Sequence, residues 1–244
     1  MNSTPLEMYV NDLMNKSILE RDEHKRTSIR VTDLSGPCMR RVWYDIKGVP
    51  FEFDLKTICN FEMGNLVHGR IILNKNQNEI AIKANVRTNT LLKSSKDIPQ
   101  EELYDCISGK FDDIISYNGE PVLVDKKTCS TKYQRNGPEK ASDDYIFQLN
   151  EYKLLYWIKT GIEIKRAIIA YIDVASKMYE KFSFEIELWP VEEIKAKVIE
   201  KLNILAKKTE PDRVISKRCV TCPFFKVCNP EQEQNYSELV KIWK

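Results

Sequence analysis

Long apolar runs, low-complexity linkers, internal repeats and a strong net charge are all missing from this 244-residue chain. Lacking any stretch of about 20 apolar residues, it has no candidate for a helix that crosses a bilayer. The opening residues, MNSTPLEMYVNDLMNKS, contain no basic region followed by an apolar run and a small-residue cleavage site. No signal peptide is expected, and the protein is expected to be soluble and cytoplasmic with no membrane partner. Glycine is scarce at 8 residues and hydrophobic residues reach 42%, which argues against a disordered or fibrous chain and for an ordered globular one. Charged residues make up 30% but nearly cancel, leaving +2. That balance neither requires nor excludes nucleic acid, because a local basic stripe can hide inside a neutral total.

Seven cysteines are present. In a reducing compartment they read as metal ligands and buried thiols rather than as a disulfide framework. Cys219, Cys222 and Cys228 form C-x2-C-x5-C within KRCVTCPFFKVCNP, a dense metal or cluster signal that lacks a fourth local ligand. Cys38, in SGPCMRRVWYD, can complete the set if the first and last segments meet, as chain termini of compact domains often do. Four thiolates suit zinc and an iron–sulfur cluster equally well. Cys59, Cys106 and Cys129 belong to no motif.

Periodicity predicts helices over residues 5–20, 38–48, 55–74, 143–159 and about 190–208, with Glu20–Arg30 a loop. Strands are expected at 79–87, 165–173 and 178–188, and 103–108 leads into a hairpin, GKFDDIISYNGEPVLVDKKT, at 109–128. Asn118-Gly119 between two Ile/Val-rich runs is a strong signal for a tight primed turn. A two-residue turn sets Tyr117 against Glu120, Ile114 against Leu123 and Asp112 against Asp125. Asp113 then lies on the opposite face with Val124, and a one-residue bulge would exchange Asp112 and Asp113. Lys127 shares a face with Asp125, with Lys110 expected opposite it.

Facing carboxylates stand roughly 5 Å apart and repel unless a cation or a proton separates them. Hard divalent ions such as Mg²⁺ and Mn²⁺ favour such oxygens and complete their shells with water and phosphate oxygens. Two acids and a lysine on one face therefore point to metal-assisted phosphodiester hydrolysis, with Lys127 positioning water or offsetting charge on the phosphate. Gln148 and Tyr152, four apart on a helix, lie one above the other. Taken alone, Tyr152 reads as core and Gln148 as exposed. His68, taken alone, reads as a packed helix histidine.

The ordered set SGPCMRRVWYD, GNLVH, GKFDDII, VLVDKKT, QLNEY and the final cysteine triplet resembles the iron–sulfur branch of the RecB-like PD-(D/E)XK nucleases, the CRISPR-associated Cas-four family. The resemblance runs from Cys38 to Cys228. It implies an α/β fold: a restriction-endonuclease-like mixed central sheet flanked by helices, with a cysteine-ligated cluster subdomain built by the two terminal segments. The implied division is 1–54, an N-terminal helical segment contributing Cys38; 55–210, the nuclease core; and 211–244, the cluster-binding segment. Carried over by position, His68, Asp112 and Asp125 hold Mg²⁺ or Mn²⁺, Lys127 is the catalytic lysine, and Gln148 and Tyr152 brace the site or touch DNA. Cys38, Cys219, Cys222 and Cys228 hold a four-iron, four-sulfur cluster. Asp125 departs from the family, which usually carries Glu there; Asp shortens the reach by a methylene, which bears on metal position or preference without abolishing binding. The resemblance also implies activity on DNA with a preference for single strands or ends, read here as exonucleolytic with endonucleolytic cleavage left open, and, in some members, trimming of CRISPR spacers beside the integrase proteins, which with a second copy of the chain are candidate partners; a repair or viral nuclease outside CRISPR is the alternative. Arg40, Arg41, Trp43 and Tyr44, with Lys217, Arg218, Phe224 and Phe225, offer cations for phosphate and rings for base stacking.

Overall fold

The computed structural model describes residues 28–51, 57, 59–61, 64, 80–85, 106–129, 140–173, 181–207 and 209–229. The helix expected over 5–20 lies outside them. Asn118 and Gly119 take φ of 53° and 80°, the left-handed pair that a primed two-residue turn needs. Strands β4 (Asp113–Tyr117) and β5 (Glu120–Cys129) therefore pair antiparallel in the expected register, with Tyr117 opposite Glu120, Ile114 opposite Leu123 and Asp113 opposite Val124. β5 runs parallel to β6 (Arg166–Asp173), and β7 (Lys181–Glu187) returns antiparallel to β6. The sheet order is β4-β5-β6-β7, a mixed sheet whose parallel step is bridged by a helical crossover.

A smaller sheet precedes it. β1 (Ile29–Arg30) lies parallel to β3 (Cys106–Phe111), and β2 (Ile80–Asn85) lies antiparallel to β3 on its other side. Two expectations change here. Ile29 and Arg30 form a short strand rather than loop. The strand from Gly109 into the hairpin is not continuous: the chain bends at Asp112 and passes from the three-stranded to the four-stranded sheet. Lys110 is consequently partnered with Ala81 rather than set against Lys127, whose strand neighbour is Tyr171. Gly109 shows what holds β3 apart. A Cβ there would stand 2.7 Å from Tyr152 Cε1 and 2.9 Å from Val31 Cγ2, so only a bare backbone lets those side chains close over the strand.

Short helices α1 (Val31–Leu34) and α2 (Met39–Ile46) follow β1. The crossover is α3 (Asp143–Thr160), with Asp143 and Asp144 in its first turn and Lys159 in its last, as the helix dipole favours. After β7 comes α4 (Val191–Ala206), which packs on α3, and the described chain ends in a 3-10 turn (Lys217–Thr221) and α5 (Phe225–Cys228). Between the sheets, α1 and α4, α3 is covered on nearly every side. Its nine consecutive residues Phe147–Leu155 are all buried, polar ones included. Buried polar groups need partners. Asn150 donates to the Ile146 carbonyl at 2.9 Å and accepts the Trp189 N–H at 2.8 Å, while Lys153 donates to the Trp189 carbonyl at 2.7 Å and pairs with Glu163 at 2.8 Å.

Candidate active site

On β5, Asp125 and Lys127 point to the same side, and their side chains meet as an ion pair at 2.8 Å. Lys127 Nζ also donates to Gln148 Oε1 at 3.2 Å, and Gln148 Nε2 donates to the Tyr152 hydroxyl at 2.9 Å. Gln148 is buried rather than exposed, because the helix face that carries it is pressed onto β5 instead of facing solvent. Four residues from a strand and a helix thus form one line, joined by an ion pair and two hydrogen bonds.

Asp112 reaches this line by an unexpected route. The ladder ends at Asp113–Val124, so Asp112 does not sit opposite Asp125 as a cross-strand pair. From the bend, its Oδ2 accepts the backbone N–H of Lys126 at 2.7 Å, one residue from Asp125. Both carboxylates act on Tyr152, whose phenol pKa is pushed far up by burial first, then by Asp125 and, more weakly, by Asp112, against the Gln148 hydrogen bond. Asp113 lies on the other face, buried in an ion pair with Lys126 at 3.1 Å. Of the two neighbouring aspartates, Asp112 is bonded to the backbone next to Asp125 and Asp113 is paired with Lys126. His68 lies outside the described residues, and among those described no three His, Cys, Asp or Glu side chains close around a single ion. Asp112 and Asp125 are nevertheless the hard-oxygen donors that a divalent ion with several waters takes.

The cysteines singled out from the sequence come from two described segments far apart in the chain. Cys38, at the N-terminal edge of α2, lines one cavity together with Cys219, Cys222 and Cys228. Burial raises the thiol pKa of Cys222 and Cys228, while Arg40, beside Cys228, acts to lower the latter. Thiols are the soft donor type that a thiolate-held metal group takes, although among the described residues no three of them close around a single ion. Around the cavity, Arg40 donates from Nε to the Pro211 carbonyl at 2.7 Å and pairs with Glu210 at 2.9 Å, and the Tyr44 hydroxyl donates to Glu210 at 2.6 Å. Burial and Glu210 push the Tyr44 pKa up to about 12.

The fold is shared with SSO0001. The chain is similar to the crystal structure of that protein at a TM-score of 0.58 and 19% identity, over 92% of this chain and 97% of that one. A likeness at a TM-score of 0.39 and 14% identity, over 73% of this chain and 88% of the other, is to an alkaline exonuclease (LHK-Exo) from Laribacter hongkongensis. No protein-family model and no curated sequence matches the chain. No helix among the described residues is long and apolar enough to cross a membrane.

Several proposed nucleic-acid contacts are engaged within the chain. Arg40 is committed to Glu210 and Pro211, and Arg218 pairs with Asp144 at 2.7 Å; Arg41 is exposed, and Lys217 opens the 3-10 turn. Tyr44, Phe224 and Phe225 are buried, with the rings of Tyr44 and Phe224 5.5 Å apart, so of the two uses open to these rings, core packing and base stacking, the structure shows packing. Tyr145 was not singled out from the sequence. Its ring lies 4.6 Å from Lys127 Nζ, a cation–π contact, and 6.3 Å from the ring of Tyr171. The signal was its position three residues before Gln148 on the same helical face.

Proposed function

We propose that the protein is a divalent-metal-dependent DNA nuclease, an exonuclease on single strands or ends, that also carries a four-iron, four-sulfur cluster. The observation that carries the reading is the unbroken line Asp125–Lys127–Gln148–Tyr152 with the Asp112 carboxylate beside it. A surface salt bridge gains little from such an arrangement, and a solvated pair needs no buried amide to orient its lysine.

Asp112 and Asp125 would hold Mg²⁺ or Mn²⁺, with His68 the further ligand implied by the resemblance. Bound there, the ion supplies Lewis-acid polarisation of a phosphoryl group and a more acidic water. The chain's own residues do the rest. Gln148 Oε1 accepts a hydrogen bond from Lys127 Nζ, Tyr145 offers a ring face, and together they fix the ammonium beside the carboxylates, where it can orient a water and offset charge on the phosphate. Tyr152 keeps its phenolic proton, because burial and both acids oppose its loss, and its oxygen anchors Gln148.

Cys38, Cys219, Cys222 and Cys228 would ligate the cluster. Zinc holds thiolates at about 2.3 Å, close around one point. The four thiols line a common cavity, and the choice of a four-iron, four-sulfur cluster over zinc comes from the resemblance. The division at 1–54, 55–210 and 211–244 belongs to the same proposal, as do a place beside CRISPR integrase proteins and assembly with a second copy.

The test is incubation of end-labelled single-stranded and duplex DNA with Mg²⁺ or Mn²⁺. Wild type shortens the single strand and Asp125→Asn leaves it intact. A protein that binds DNA but cuts nothing with either ion would be a binding module of the same fold.

A further inference from the structure

The cysteine-lined cavity and the lysine–acid face are tied together by one guanidinium. Arg218, immediately before Cys219, places Nη2 2.7 Å from Asp144 Oδ2 in the first turn of α3. The same group fills the space beside Gly36, two residues before Cys38, where an added Cβ would stand 3.3 Å from Nη1. Arg218 thus touches both chain segments that bring cysteines to the cavity, as well as the helix that brings Gln148 to Lys127. Asp144, Gln148 and Tyr152 recur every four residues and share one helical face, so a shift of the first turn is passed directly to Gln148.

A second strap runs parallel to the first. Lys201 of α4 donates to the carbonyls of Leu34 and Gly36, at 3.2 Å for Gly36, and its ammonium lies 4.3 Å from the ring of Phe147 on α3. An exposed ion pair contributes little to stability. Position is another matter, because Arg218 and Asp144 are only about one-third exposed and the guanidinium is wedged against backbone that has no side chain.

We infer that Arg218 is a positioning residue: paired with Asp144, it fixes the first turn of α3 against the cysteine-bearing segments and so sets Gln148 on Lys127. This rests on the nuclease reading for its catalytic readout and stands apart from it for its structural one.

The experiment compares wild type, Arg218→Leu, Asp144→Asn and the double variant by amide hydrogen exchange, iron content and DNA cleavage. Either single variant is expected to speed exchange in the first two turns of α3 and to lower kcat about tenfold, with KM for DNA and iron per chain unchanged. The double variant is expected to be no worse than either single one, since all three lack the same pair. Arg218→Lys is expected to recover most of the loss. Unchanged exchange in α3, or additive losses in the double variant, would overturn the inference, as would a change confined to KM, which marks a DNA contact. Should wild type cut no DNA, the nuclease reading fails, and the exchange data alone decide this one. Should Arg218→Leu fail to fold, Asp144→Asn removes the pair from the helix side and decides it.

Discussion

Asp112 bridges the two sheets by accepting the backbone N–H of Lys126 at 2.7 Å, which places its carboxylate beside Asp125 without the two strands being paired there. One side chain therefore substitutes for a ladder bond and supplies an acid to the candidate metal face.

Asp112 and Asp113 should respond to substitution in opposite ways. Asp113→Ala removes the carboxylate paired with the buried Lys126 ammonium and is expected to cost up to about 3–5 kcal/mol of stability, while cleavage per folded molecule is kept. Asp112→Ala is expected to cost about 1–3 kcal/mol through the unpaired N–H and to abolish cleavage. Urea denaturation and a cleavage assay at low temperature, run on both variants, separate the two roles.

Gly109→Ala tests the close approach over β3. The new methyl meets the Tyr152 ring at 2.7 Å, and that ring is backed by Phe111 with centroids 6.0 Å apart, so neither side yields cheaply. A loss of about 1–3 kcal/mol is expected from overpacking, with reduced cleavage as Tyr152 pulls on Gln148. An unchanged melting temperature would show that α3 sits farther from the sheet.

Glu151 is buried, and neither of its carboxyl oxygens has a hydrogen-bond partner among the described residues. Burial raises its pKa well above the usual range, with Lys201 opposing and Asp33 adding to the rise. The folded protein then holds this proton at pH values where the unfolded chain has released it, so stability falls as pH rises from the ordinary glutamate value toward the folded one. Glu151→Gln cannot ionise and should gain on wild type across that window by about 1.4 kcal/mol per pH unit. Melts at pH 4 and pH 8 check this: the difference should grow with pH, and a constant offset would contradict it.

The cysteine set predicts a colour as well as a stability. Replacing Cys38 by Ser should lower iron per chain and loosen the C-terminal segment, although the two are far apart in sequence, because Cys38 and the final triplet line one cavity. Absorbance in the visible range and iron analysis on protein prepared without oxygen read the first effect, and limited proteolysis reads the second. Zinc in place of iron would reassign the site.

Much of this was legible in the chain. Asn118-Gly119 dictated both the turn and the register, and the 3.6-residue pattern from Asp143 onward marked α3 within a residue or two. The change of sheet at Asp112 was not legible, since apolar and β-branched residues continue on both sides of a one-residue bend that leaves no mark in composition. Gln148 looked like a solvent-facing polar residue because periodicity assigns one buried face, whereas α3 is enclosed on nearly all sides. The aromatics near Cys38 and Cys222 suited base stacking and core packing equally, because sequence does not reveal that Tyr44 and Phe224 pack on each other.

The most direct test of the central claim is single-turnover cleavage of end-labelled single-stranded DNA by wild type and Lys127→Ala, with Mn²⁺ binding measured on both. Cleavage is expected to fall by about 10²–10⁴-fold while Mn²⁺ remains bound through the two aspartates. Equal rates in the two proteins would contradict the role assigned to the lysine on β5.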